Sequence, residues 1–170
     1  MLKILGSLML LCGCTGIGLL QIKHMDKRIG TLQSMVWALE VMEQELSFRV
    51  PSLEEMFAAA VQLTEGPTKM FFSSCKNELN KGLNKPFCEI WSQTAQEQLS
   101  ALKKSDIDPI LALGSVLGRY DSEGQLQAIV RTQKALEQEC SNAVIERSNK
   151  GKVYRVVSTT VGVFLLILLL

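Results

Sequence analysis

The sequence predicts an all-α protein: a six-helix bundle forming a cytoplasmic domain, flanked by an N-terminal and a C-terminal transmembrane helix. Three observations predict it. The 170 residues are 47% hydrophobic and 21% charged with a mean hydropathy of +0.18, too apolar for an ordinary soluble chain. All 17 Asp and Glu lie between Asp26 and Glu146, while uncharged apolar runs occupy the two ends. Between those ends apolar residues recur at steps of three and four, the period of helices rather than strands. The expected divisions are residues 1–23 and 152–170 for the membrane helices and 24–151 for the helical domain.

The first apolar run, Ile4 to Ile22, carries no charge and is long enough to cross a hydrocarbon core of about 30 Å. A competing reading takes Leu11-Cys12-Gly13-Cys14 as a bacterial lipoprotein cleavage box with lipid on Cys14. The run continues past Cys14 for eight residues, which a cleaved signal does not need, and this favours an uncleaved span. The C-terminal run, Val156 to Leu170, is short for a span unless the bilayer thins or Val153 and Tyr154 are drawn in. Lys23, Lys27 and Arg28 follow the first run, and Arg147, Lys150, Lys152 and Arg155 precede the second. Both basic flanks therefore lie on the middle domain's side, which predicts that this domain is cytoplasmic.

In the middle, Ile29, Leu32, Val36, Leu39, Met42 and Leu46 form one stripe of a helix that continues from the first membrane run and closes before Pro51. Ser52 with Glu55 is a capping box opening a second helix, with Leu53, Met56, Phe57, Ala60 and Val61 inward. Glu65-Gly66-Pro67 ends it. A third runs from Thr68 to Lys81 with Met70, Phe71, Cys75 and Leu79 inward, stopped by Gly82. Pro86 suits the first turn of a fourth, in which Phe87, Ile90, Trp91, Ala95, Leu99 and Leu102 repeat. Asp106 as cap, with Pro109 in the first turn, starts a fifth that buries Ile110, Leu111, Leu113, Gly114 and Leu117. After the turn Gly118-Arg119-Tyr120-Asp121, a sixth helix carries Leu126, Ile129, Val130, Leu136, Cys140, Ala143 and Val144 on one stripe to Gly151.

Chemistry is harder to find. A formal charge of +1 without a basic cluster disfavours nucleic acid. Five cysteines, an odd number with no CxxC, together with the single histidine His24, exclude a disulfide framework and a Cys/His zinc site. No GxxxxGK[ST] loop cradles a phosphate, and a Ser or Cys nucleophile lacks its usual base. The expectation is therefore no enzyme, with no catalytic residue, metal, cofactor or small-molecule substrate. Asp106 and Asp108 read as helix caps, Trp37 and Trp91 as core. The middle domain carries 14 Lys and Arg against 17 acids. Its acids concentrate between Glu40 and Glu65, where Glu40, Glu43, Glu45, Glu54, Glu55 and Glu65 face one base, Arg49. On a straight first helix, Glu40 to Glu45 would stand roughly 25 to 35 Å from the membrane, an acidic tip placed to meet a soluble partner. Glu43 sits at the edge of the apolar stripe.

Several motifs together resemble the stage III sporulation protein AB family of endospore-forming bacteria. They are the opening MLK with its glycine-bearing apolar run, the helix LQSMVWALEVMEQELSF leading into Val50-Pro51-Ser52-Leu53-Glu54-Glu55, the turn Leu117-Gly118-Arg119-Tyr120-Asp121, and the leucine-rich end. Tyr120 stands where family members often carry Ser. The resemblance covers essentially the whole chain. It implies a component of the channel complex joining mother cell and forespore, held in the mother-cell membrane. It also implies a soluble domain similar to the cytoplasmic domains of type II secretion and type IV pilus platform proteins. The partners implied are sporulation protein AA, which resembles secretion ATPases, and other membrane subunits of the channel complex. Glu40, Glu43, Glu45, Glu54 and Glu55 are then the candidate ATPase contact, and Arg119 and Asp121 are expected to fix their turn by a mutual or cross-helix ion pair. The alternative is a membrane-anchored or lipoprotein-type adaptor whose helical domain binds an unrelated cytoplasmic protein.

Overall fold

The computed structural model describes residues 2–81, 85–119 and 121–169, with the side chains of 20–81, 85–119, 121–151, 153, 156, 157 and 160. Six helices follow one another, with no strand among the described residues: α1 Leu2–Phe48, α2 Leu53–Leu63, α3 Gly66–Asn80, α4 Phe87–Gln98, α5 Lys104–Gly114 and α6 Ser122–Leu169. The all-helical class and the number of helices agree with the sequence. The chain divides into two compact units, residues 28–141 and residues 1–27 with 142–170.

Residues 28–141 form a bundle in which α2 packs on α3, α3 on α4 and α4 on α5. From α1, Leu32, Met35, Leu39 and Met42 enter the core, and from α6 Ile129 and Leu136 do so. At the centre of α2, α3 and α4 lies an aromatic cluster of Phe57, Phe71, Phe72, Phe87 and Trp91, with Phe71 and Trp91 edge to face at 4.6 Å. The indole N–H of Trp91 donates to the Ile110 carbonyl on α5 at 2.7 Å, so the largest core side chain is also satisfied. A Cβ at Gly114 would clash with Cδ1, Cγ and Nε1 of the Trp91 indole, and this close approach is why α5 carries glycine there.

Local signals explain most boundaries. Ser52 Oγ accepts the Glu55 N–H and the Glu55 carboxylate accepts the Ser52 N–H, the capping box read from the sequence. Glu65-Gly66-Pro67 does more than end α2. Gly66 and Pro67 are already the first residues of α3, because proline's missing donor is unneeded there. Helix α5 starts at Lys104, earlier than a cap at Asp106 would place it, and Pro109 lies inside the helix. Asp106 still serves the helix end, from the third position, where its carboxylate accepts the Lys103 N–H at 2.8 Å. Gly118 takes φ +74, open to glycine at little cost, in the turn that abuts Leu53 at the head of α2. The expected stop at Gly82 and the turn residue Tyr120 lie outside the described residues.

Three burial expectations are corrected. Met70, Val144 and Trp37 are exposed, at 57%, 46% and 54%, rather than inward, and Phe72, which the sequence reading did not select, is fully buried. In the triplets Met70/Phe71/Phe72 and Met35/Val36/Trp37, consecutive apolar residues blur the helical period, so the buried face is set by packing alone.

In the other unit, Asp26 on α1 accepts from Arg147 on α6 at 2.8 Å, and Glu146 pairs with Lys150 one turn on. Helix α6 runs through Gly151 without a break, since one glycine costs a helix only about 1 kcal/mol. Val153, Val156 and Val157 are exposed on it. Among the described residues no helix is long and apolar enough to cross a membrane. Most side chains of the two terminal apolar runs lie outside those described.

Candidate protein-interaction surface

Helix α1 and the turn into α2 bring the predicted acidic residues together within the 28–141 bundle, but not as equals. Glu54 is exposed, and Glu40 and Glu43 are half-buried at the margin of α1. The Glu45 carboxylate is held by Arg49 through a hydrogen bond of 2.8 Å one turn on. Glu55 is held by the Ser52 N–H. Glu40, Glu43 and Glu54 are thus the acids of this surface not committed to these local bonds, and they give it its negative charge, whereas the exposed Glu65 lies at the other end of α2, where Thr68 donates to the Thr31 carbonyl. Around them the structure exposes apolar side chains that the sequence does not predict to be exposed. Phe48 is 90% and Val50 79% exposed, and Trp37 stands three turns before Phe48 on the same line of α1.

Arg119 and Asp121 are both exposed. Among the described residues no ion pair joins them; Asp121 Oδ1 accepts the Gly124 N–H at 3.1 Å and so caps α6.

The strongest electrostatic feature was not visible in the sequence. Arg28, which reads in the sequence as part of a basic flank with Lys23 and Lys27, is only 6% exposed, and its guanidinium forms two parallel bonds of 2.8 Å to the fully buried Asp106. Glu139 on α6 lies 3.4 Å from the same guanidinium and also accepts from Ser105. Burial on its own raises the Asp106 carboxyl. Hydrogen bonds from Arg28 and the Lys103 amide, with the Arg28 charge, outweigh it and hold the carboxyl below the usual carboxylate range. One buried pair thereby ties α1, α5 and α6. A signal for it existed only in part: Asp106 announced a helix start, but nothing local pointed to a partner 78 residues away.

Among the described residues no group of three His, Cys, Asp or Glu is placed to hold a metal ion. A polar cleft between α3 and α4 is lined by Ser74, Glu78, Lys85, Gln93, Thr94 and Glu97. Two of its carboxylates are already engaged, Glu78 with Lys81 and Glu97 with Gln93. Burial pushes the Cys75 thiol up to about 12 against a hydrogen bond with Thr94, so it is neither a nucleophile nor a ready ligand.

These features define an all-helical protein with an acidic surface on α1 and the turn into α2 and exposed apolar side chains beside it. The family model of stage III sporulation protein AB matches residues 3–170, and the chain belongs to that family, whose role is in sporulation and which is a family of structural proteins rather than a class of enzymes. A solved structure of a stage III sporulation protein AB is similar with a TM-score of 0.65 and 22% identity, over 72% of this chain and 98% of that one. At that identity the likeness establishes the fold. No curated protein matches.

Proposed function

We propose that this chain is a non-enzymatic platform component of the secretion-like channel complex between mother cell and forespore. It lies in the mother-cell membrane with the 28–141 bundle in the cytoplasm, and couples a secretion-type ATPase, sporulation protein AA, to the membrane subunits. The observation that carries the reading is the acidic surface of Glu40, Glu43 and Glu54, whose carboxylates are not committed to the capping box or the Glu45–Arg49 pair. Such a surface steers a basic partner and fixes its orientation. The basic flanks of both terminal runs support the orientation.

The test is recruitment of the ATPase to membranes. Membranes carrying the native chain should retain it, and membranes carrying the Glu40→Lys, Glu43→Lys, Glu54→Lys chain at equal abundance should lose at least tenfold. Glu45 and Glu55 are left alone, because reversing them breaks the Arg49 pair and the cap of α2. Equal retention by both chains contradicts the reading.

A further inference from the structure

The surface of α1 has a second property that charge does not account for. Trp37, Val41, Gln44 and Phe48 follow steps of four, three and four and so fall on one line of the helix. The stripe buried in the bundle, Leu32, Met35, Leu39, Met42 and Leu46, lies on another face. Trp37 is 54% and Phe48 90% exposed, and Val50 continues the patch past the helix end at 79%. Scattered exposed apolar residues are ordinary; two large aromatics at the ends of a single outward line are not. Trp37 and Phe48 are about 16 Å apart along the axis at 1.5 Å per residue, or three helical turns.

We propose that this line is the seat of a basic amphipathic helix of another protein. Its apolar face would cover Trp37, Val41, Phe48 and Val50, and its Lys or Arg side chains would reach Glu40 and Glu54. A straight, three-turn line with aromatics at both ends suits a helix, and buried aromatics supply most of the energy at such contacts. Charge decides the occupant. From Trp37 to Glu55 there are five acids and one base. A second copy docking symmetrically by the same line would set these acids against themselves, whereas a basic helix meets opposite charge. The proposal goes beyond the ATPase reading, since the seat recognises a kind of helix rather than a named protein.

The test uses the full chain in nanodiscs of neutral lipid, with empty nanodiscs as the blank for partitioning into lipid. The probes are two fluorescent 18-residue amphipathic peptides with the same leucine face, one with lysine and one with glutamate on its polar face. The expected result is that the lysine peptide binds at least tenfold more tightly than the glutamate peptide. Trp37→Ser, Phe48→Ser should lose at least tenfold in affinity with an unchanged melting curve, because both side chains are exposed. Equal binding of the two peptides, lysine-peptide binding that survives the double variant, or no binding above the blank each overturns the proposal. So does crosslinking of Trp37→Cys to a second copy, which would make the line a self-association face. Because the probes are peptides, the outcome is independent of whether the ATPase binds.

Discussion

Arg28 and Asp106 meet across 78 residues of sequence in a two-pronged ion pair, Nε to Oδ2 and Nη2 to Oδ1, both at 2.8 Å, with neither side chain more than 7% exposed. The same carboxylate accepts the Lys103 amide. A buried pair of this kind adds little net stability over apolar packing, but removing one partner strands a charge.

Asp106→Ala should therefore destabilise the fold by about 3 kcal/mol, the lower end of the cost of breaking a buried pair, because Glu139 remains beside Arg28. Replacing both partners with Arg28→Met, Asp106→Leu should recover most of that loss. Urea unfolding of the three variants beside the native chain checks both statements, and equal stability of the single and double variants would show that the pair is not what ties these helices.

The pair also sets a pH dependence. Asp106 titrates lower in the folded chain than when unfolded, so its contribution is complete above an ordinary carboxylate pKa of about 4 and is withdrawn as pH falls through the lower folded value. Melting temperatures between about pH 5 and pH 2 should fall less steeply for Asp106→Asn than for the native chain.

Gly114→Ala should cost about 2 kcal/mol or more, since its Cβ would clash with the Trp91 indole, which is packed edge to face on Phe71. The reading is a lowered midpoint of thermal unfolding together with a changed Trp91 near-ultraviolet signal.

Ser52→Ala should lose about 1 kcal/mol through its cap, and Glu55→Ala should behave alike, because each completes the other's bond. The double variant should cost little more than either one, and additive losses would show two separate contacts.

Alkylation at pH 8 should modify Cys88, which is half-buried, and leave Cys75 untouched until the chain unfolds, because the Cys75 thiol is both enclosed and protonated. Mass spectrometry of the labelled peptides reads this directly.

What the sequence made legible was whatever has a local cause. The Ser52/Glu55 box, the glycine turn at Gly118 and the inward Phe57, Phe71, Trp91 and Leu113 all follow from neighbours within one helical turn. Two things did not. Arg28 sits beside Lys23 and Lys27 in a pattern that reads as a membrane flank, and only the packing of α5 and α6 against α1 turns it inward. Trp37 stands in a run, Met35-Val36-Trp37-Ala38-Leu39, so uniformly apolar that the period cannot say which residue faces out. The acidic residues were legible as a group, but their division into engaged and uncommitted carboxylates depends on where Arg49 and the Ser52 amide point.

The most direct test of the platform account is the affinity of the full chain, in neutral-lipid nanodiscs, for the purified sporulation ATPase at two salt concentrations. The account predicts binding that weakens as salt rises and that falls at least tenfold for Glu40→Lys, Glu43→Lys, Glu54→Lys, with the thermal melt preserved. Binding that is indifferent to both salt and charge reversal, or an absence of binding by the folded chain, would contradict it.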